Sequence, residues 1–507
     1  MTMHNRDLAI GRSFWLQTGY LRYDTMRDLE RRTEPELFLT ASPYLGRVSL
    51  SLAPVRPLGS VEPLQQVRSG AALTPLERLT TLLYLTLGLV RYEAGSVRPF
   101  HRGAPSPRCL YATELYVVPP QGVFRYDPLM HALEQRSEEG MWDVLEQALG
   151  ITLYGAESVL IVAADVWRIA RLYADFAYNI ATLEAGHALG QLQVLASRLG
   201  YEARIHEHFL DRPVLESLGL NGKVQTPLAV VVLWPQGAVK QERVSCESVP
   251  RQPVAADTRF EQEMNQCGDL QKMMEASRLT FAEELPEAEQ AQEHLVRTTA
   301  DFAGSAAGCE ADLLDVIKTR NSGNDKIGLS ATGRPIPLEQ LSGLLQALAA
   351  FPDAQGLARE IGLYLSAHRV AGLASGIYRC ELSAPDFEAQ SLHQDMGLLM
   401  EQASVVDGKY INFRSIPAAF YLTVDFERTL HQHGNRGYQI MQMRAGRLTQ
   451  YLCLLAAARG WYARPLKSYR DAETEALLGL SQTTRTVVYQ LVIGESDTPY
   501  LEFDMGL

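Results

Sequence analysis

Between Ala104 and Tyr116 the chain reads APSPRCLYATELY. Prolines flanking a serine can neither continue a helix nor donate fully to a sheet, so the stretch is a loop presenting backbone and small side chains to something flat or close. Arg108 adds a guanidinium suited to a carboxylate or to stacking on a ring. Further on, TRNSGN (319–324) places Arg320, Ser322 and Asn324 at alternate positions. A guanidinium with hydroxyl and amide donors beside it suits a phosphate dianion, which takes charge-assisted and preferably bidentate bonds. Taken alone, Arg320 reads more simply as a solvated arginine at a helix end. Tyr173 and His187 lie in helix-like sequence, where a packing aromatic and a hydrogen-bonded histidine are the plain alternatives to catalysis. The six cysteines (Cys109, Cys246, Cys267, Cys309, Cys380, Cys453) show no CxxC and no Cys/His cluster. That argues against a zinc site, fits a reducing compartment, and leaves buried free thiols as the expectation.

These residues need elements to position them, and the chain supplies those elements twice. LEAGHALGQLQVLASRLGYEARIHEHFLDRPVLESLGL (183–220) aligns without a gap with MRAGRLTQYLCLLAAARGWYARPLKSYRDAETEALLGL (443–480), so Gly186 recurs 260 residues later as Gly446. TPLERLTTLL (74–83) answers IPLEQLSGLL (336–345), and GVFRYD (122–127) answers GIYRCE (376–381). Three blocks in one order indicate a tandem duplication. Each copy reads as a Pro-led amphipathic helix starting at Pro75 or Pro337, a strand, a hairpin-like strand, a long small-residue helix and a closing apolar strand, TPLAVVVLW (226–234) or TRTVVYQLVI (484–493). Helices packed on such a sheet make the fold class α+β. Close helix packing is the simplest reason for the Ala-Gly pairs at 185–186 and 445–446.

At 507 residues the chain holds more than one core, given about 100–200 residues per domain. The expected organisation is an N-terminal extension (1–70), domain 1 (71–235), a linker with connecting helices (236–310) and domain 2 (311–507). A net charge of −12 excludes a general nucleic-acid binder, which needs clustered cations. No signal peptide and no run long enough to span a bilayer is evident, so a cytoplasmic protein is expected.

In combination these blocks resemble the nitroreductase superfamily, in particular its SagB/ThcOx-type branch, where tandem-duplicated members occur. APSPRCLYATELYVV is similar to the family's Pro-Ser-x-Gly-x-Leu-(Tyr/His)-Pro-x-Glu block; GVFRYDPLMHALEQ (122–135) matches its Gly-x-Tyr-x-Tyr-Asp-Pro hairpin. WRIARLYADFAYNIATLEAGHALGQL (167–192) resembles its Trp-Arg-x-x-x-Lys-Tyr-Gly stretch and Gly-His helix, and TRNSGN its opening Arg-x-Ser signature. The resemblance implies two tandem nitroreductase-like domains, each a mixed or antiparallel sheet flanked by helices, paired as an intramolecular pseudo-dimer with FMN at the interface. It assigns Arg320, Ser322 and Asn324 to the FMN phosphate and ribityl chain, and Pro105 and Ser106 to the isoalloxazine. Leu466, Lys467 and Ser468 of ARPLKSY correspond to the segment offering N–H groups to flavin N5 and O4. Because the Pro-Ser loop has no clear counterpart near FPDAQGLARE (351–360), one composite site and one degenerate site are expected.

SagB-type enzymes oxidise azolines in ribosomal peptides to azoles, with FMN accepting the hydride. The family's Lys-Tyr pair reads Leu172-Tyr173 here; Leu172 cannot transfer a proton, which leaves Tyr173 alone or with help from Arg171. Arg108 and Tyr111 complete the implied catalytic set, with Glu114 orienting the loop. The implied function is FMN-dependent dehydrogenation of a peptide-borne or small heterocycle, with a cyclodehydratase-type partner. An NAD(P)H-dependent nitro or quinone reductase and a non-catalytic scaffold of a biosynthetic complex are the alternatives. The chain is expected to act as a monomeric pseudo-dimer or as a higher homo-oligomer.

Overall fold

The computed structural model describes residues 4–21, 55–57, 73–238 apart from 95 and 97, 260–286, 312–323, 329–497 apart from 330, 407 and 409, and 501–504. The duplication is visible as two antiparallel sheets of matching strand order. In the first domain the order runs Val55–Pro57, Ala132–Ser137, Val123–Asp127, Thr113–Val118, Ser158–Asp165, Gln225–Pro235, Tyr201–His206. In the second it runs Asp386–Leu392, Gly376–Glu381, Ile361–Ala367, Ala418–Asp425, Arg485–Gly494, Tyr462–Leu466. Among the described residues the second sheet has no counterpart of the outer strand Val55–Pro57.

The central strands are apolar on both faces because both are covered, and their side chains alternate accordingly. Leu160 and Val162 join the core beneath the long helix Ala177–Arg198, whereas Val159 and Ile161 pack with Leu145 and Val214 of the short helices Trp142–Leu149 and Asp211–Leu218 on the opposite face. Pro75–Leu87 starts at a capping box: Thr74 Oγ1 accepts from Glu77 N–H and Glu77 Oε2 accepts from Thr74 N–H at 2.7 Å. Pro337 departs from the expected helix start. It sits at the N-cap in a short bridge to Val370–Ala371, and the helix runs Leu338–Ala349.

The two long helices, Ala177–Arg198 and Arg436–Ala457, meet at Gly186 and Gly446. A Cβ on either glycine would lie 2.9 Å from the other's Cα, so hydrogen is the only side chain that lets the backbones come this close. The domains are further tied by the buried pair Arg436 Nη1–Asp211 Oδ2 at 2.6 Å. Chain ends cross over. The N-terminal helix Leu8–Thr18 stacks Trp15 on Phe426 of the second domain (centroids 4.9 Å apart), and the C-terminal strand Leu501–Asp504 pairs with Arg91–Ala94 of the first. Within the connecting segment, the described residues 260–286 pack on the domains: Leu270 and Met273 of the helix Gly268–Ala276 are in the core, and Leu270 N–H donates to Asp175 Oδ1 at 2.8 Å.

Candidate functional site

The Ala104–Tyr111 loop closes on itself through one hydroxyl. Ser106 Oγ accepts from Tyr111 N–H (2.9 Å) and donates to Glu184 Oε2 (2.8 Å) on the long helix, while Glu184 Oε1 accepts from Thr113 N–H (2.8 Å). On the other side Arg168 Nη1 donates to the Tyr111 carbonyl at 2.7 Å, and Glu114, 3.4 Å from Arg168 and 3.5 Å from Arg125, steadies that arginine. These bonds hold Arg108, Cys109 and Tyr111 in the left-handed region, at φ 48, 53 and 50°. Such backbone costs of order 1–3 kcal/mol per residue and survives only where its surroundings over-determine it.

The strained loop is one wall of a cavity of about 460 Å³ between the domains. Pro105, Ser106, Arg108, Tyr111 and Tyr173 of the first domain face Arg320, Ser322, Leu466, Lys467 and Ser468 of the second across it. Asn324 lies outside the described residues.

Arg320, 4 % exposed, donates to Ser322 Oγ (3.2 Å) and to the Arg102 carbonyl (3.3 Å), and its Nε has no partner. Among the described residues no carboxylate pairs with it, and burial lowers its pKa. A buried guanidinium lacking a counter-ion is costly, so this corner of the cavity is built for an anion. Its loop is held from both domains: Arg91 Nη1 donates to the Arg320 carbonyl (3.0 Å) and Arg464 Nε to that of Ser322 (2.7 Å).

The other sequence-derived candidates divide by where their polar atoms go. Arg108 lies over the Tyr173 ring, 5.5 Å from its centroid. Tyr111 donates its hydroxyl to the Phe100 carbonyl under the Arg102 guanidinium, which sits 4.3 Å from the ring centroid. Lys467 turns its ammonium to Tyr469 Oη at 2.7 Å, with Asp471 at 3.9 Å and the Trp15 ring centroid at 5.3 Å. Leu172 is 6 % exposed in the core, and Arg171 is stacked on Trp167, 4.4 Å from the ring centroid. His187 is bonded through both nitrogens, to Gln450 Oε1 (3.0 Å) and Tyr489 Oη (3.1 Å), and burial pushes its pKa down to about 3.

Sequence reasoning missed Glu184, His101 and Cys109, all of which line the cavity. A signal for Glu184 existed in the repeat, since its counterpart 260 residues on is Arg444, a reversal of charge. The expectation of buried thiols holds for Cys267, Cys380 and Cys453 but fails for Cys109, which is half-buried; Cys246 and Cys309 lie outside the described residues.

The equivalent place in the other half is built differently. The helix Pro352–Ala358 stands where the first copy has its Pro-Ser loop, immediately before the strand that matches Thr113–Val118. Its Asp353 accepts from Arg447 (2.6 Å) and Tyr451 (3.0 Å), and Arg444 lies 2.7 Å from Glu207 and also pairs with Glu360. Arg444 and Arg447 are the counterparts of Glu184 and His187, so divergence on the second long helix places a buried ion-pair network there.

The sequence profile described as Nitroreductase family matches residues 71–233 and 331–495, which together make up more than half of the chain. The chain belongs to the nitroreductase family. A protein of Methanocaldococcus jannaschii named as a nitroreductase is 21% identical over 156 residues, covering 29% of this chain and 77% of its own. The crystal structure of a protein from Anabaena variabilis, also named as a nitroreductase, superposes with a TM-score of 0.71 over 96% of this chain and 99% of that one, at 19% identity. At that identity the likeness establishes the shared fold, which here extends over both copies. Family membership makes the protein a nitroreductase-superfamily oxidoreductase. No helix among the described residues is long and apolar enough to cross a membrane.

Proposed function

We propose that the inter-domain cavity holds one FMN per chain and that the protein is a dehydrogenase of the SagB type, oxidising an azoline or related heterocycle. The observation that carries the cofactor is Arg320: a buried guanidinium, with an orphaned Nε and Ser322 beside it, suits a phosphate group. Pro105 and the clasped Ser106 loop supply a flat, rigid wall, and Leu466 to Ser468 supply backbone on the opposite side. Bound there, FMN supplies a two-electron acceptor.

The chain's own residues would bind, orient and exclude water. Tyr173 and Arg108 face the cavity where the substrate has to enter, Arg108 offering a cation to substrate or cofactor anions and Tyr173 the hydroxyl for moving a proton. The position the branch fills with lysine is Leu172, shut in the core, so no amine acts there. That departure favours a second reading, an NAD(P)H-dependent reductase of nitro compounds or quinones, which needs no base for a ring C–H.

The test is the visible absorbance of purified protein, with flavin released by heat and counted per chain. One FMN per chain, lost in Arg320→Ala, supports the reading; a protein that stays colourless with added FMN refutes it. Oxygen-linked oxidation of a thiazoline peptide against NAD(P)H-linked reduction of a quinone then separates dehydrogenase from reductase. A cyclodehydratase-type partner belongs to the first outcome only.

A further inference from the structure

Four side chains drawn alternately from the two domains join in one chain of hydrogen bonds that ends at the cavity. Gln191 Nε2 donates to the Leu85 carbonyl (3.1 Å), and Gln450 Nε2 donates to Gln191 Oε1 (2.7 Å). Gln450 Oε1 lies 3.0 Å from His187 Nδ1, and His187 Nε2 lies 3.1 Å from Tyr489 Oη. A carbonyl only accepts, so the first bond fixes the orientation of the Gln191 amide, and each bond then fixes the next. His187 Nδ1 carries a proton for Gln450, its Nε2 is the bare nitrogen, and the Tyr489 hydroxyl donates to it. With its proton committed to His187, Tyr489 Oη has only lone pairs for anything else. His187 and Tyr489 both line the cavity.

We propose that Tyr489 is a specificity-determining residue of the cavity, locked by His187 as an acceptor for a hydroxyl of the bound group. This rests on the FMN reading, in which the hydroxyls are those of the polyol chain between phosphate and ring. Tyr489 orients that chain and gives preference to a cofactor that carries it.

The duplication gives this chain to one half only. At the offset of 260, Gln191, Gln450 and His187 answer to Tyr451, Gly190 and Arg447. Tyr489 lies opposite Leu422 on its strand's neighbour as Ala229 lies opposite Val162, so Tyr489 answers to Ala229. With a glycine and an alanine at two of the four positions, the other half cannot build it. The lining of the cavity is graded in the way the ligand requires. The helix Ala177–Arg198 presents Ile180 and Leu183 to the cavity and then Glu184 and His187. At 1.5 Å per residue this face passes from apolar, suited to a ring, to polar within about 10 Å. Glu184 is an acceptor as well, so it and Tyr489 together call for donors on the ligand. Burial keeps the polarity of the chain fixed, holding His187 neutral with a pKa of about 3 and raising that of Tyr489, so the hydroxyl stays protonated. The charge of Arg320 acts on His187 in the same sense as burial, in keeping with a polyol subsite beside the anion corner.

Full-length protein stripped of flavin is titrated with FMN and with an analogue whose pentitol hydroxyls are replaced by hydrogen, ring and phosphate being kept. Flavin fluorescence gives both dissociation constants. Wild type is expected to bind FMN at least about 5-fold more tightly than the analogue. Tyr489→Phe should cost FMN about 5-fold to 10-fold in affinity and change the analogue by less than about 2-fold, a ligand dependence that a merely structural tyrosine would not produce. Should Tyr489→Phe fold poorly, the wild-type preference still decides, because equal affinity for the two ligands overturns the proposal. So does a folded Tyr489→Phe protein in which both ligands weaken alike or neither does. In those cases FMN still binds wild type and the cofactor reading stands; a wild type that binds neither ligand overturns the cofactor reading and this proposal with it.

Discussion

Arg447 Nη2 lies 2.6 Å from Asp353 Oδ2, at the point on the second long helix that the duplication makes equivalent to His187. The first copy has a cavity at this place and the second a cluster of buried charges. Tyr451 and Gln193 also bond into the cluster.

Breaking that pair should therefore unfold rather than open. In Arg447→Ala the Asp353 carboxylate loses its buried counter-ion, at a cost of about 3–5 kcal/mol. Urea titration should show the loss, and any flavin bound per chain should stay at the wild-type count; a gain of a second flavin would mean that the closed half is a latent site.

At the helix crossing, Gly186→Ala places a methyl group against the Met443 carbonyl and Gly446. Overpacking of this kind costs about 1–3 kcal/mol, and the contact is with backbone, which cannot rotate away. A melting temperature several degrees lower is expected; an unchanged one would show that the helices can slide apart freely.

Ser106→Ala removes the hydroxyl that joins Tyr111 N–H to Glu184. A buried bond to a carboxylate is worth about 1.5–3 kcal/mol, and the strained backbone of Arg108 to Tyr111 loses its clasp. The expected signature is faster proteolysis within 104–111 and weaker flavin binding, with the second domain's stability untouched. Equal protease rates in mutant and wild type would show that the loop is held elsewhere.

Acid should destabilise the fold from the top of the histidine range downward. His187 and His206 are pushed down to about 3 and His131 to about 4, in each case by burial. Their folded pKa values lie below the unfolded value of about 6.5, so the unfolded chain binds protons that the folded one refuses. Stability is then intact above about pH 6.5 and falls below it, by up to about 1.4 kcal/mol per pH unit for each histidine, until the folded pKa is reached. His101, raised by its partners, works in the opposite sense but is a single group. Urea midpoints should decline from about pH 6.5 to about pH 4; a flat profile would show that these rings are solvated.

The sequence by itself determined the duplication and, through it, the fold. Matching blocks such as Leu218-Gly219-Leu220 and Leu478-Gly479-Leu480 are local patterns, and local patterns specify elements and their order. Pro105, Ser106 and Arg320, singled out through the family resemblance, line the cavity. Tertiary structure alone decided what those side chains do there. Ser106 is committed to Glu184, 78 positions away, and Lys467 turns to Tyr469 rather than to the cavity, outcomes set by which partners the packing brings within bonding distance. Cys109 shows the difference most plainly. Nothing in its neighbours in sequence separates it from a buried thiol, and only the fold, with a loop held at positive φ, brings it to the cavity that His101 also lines.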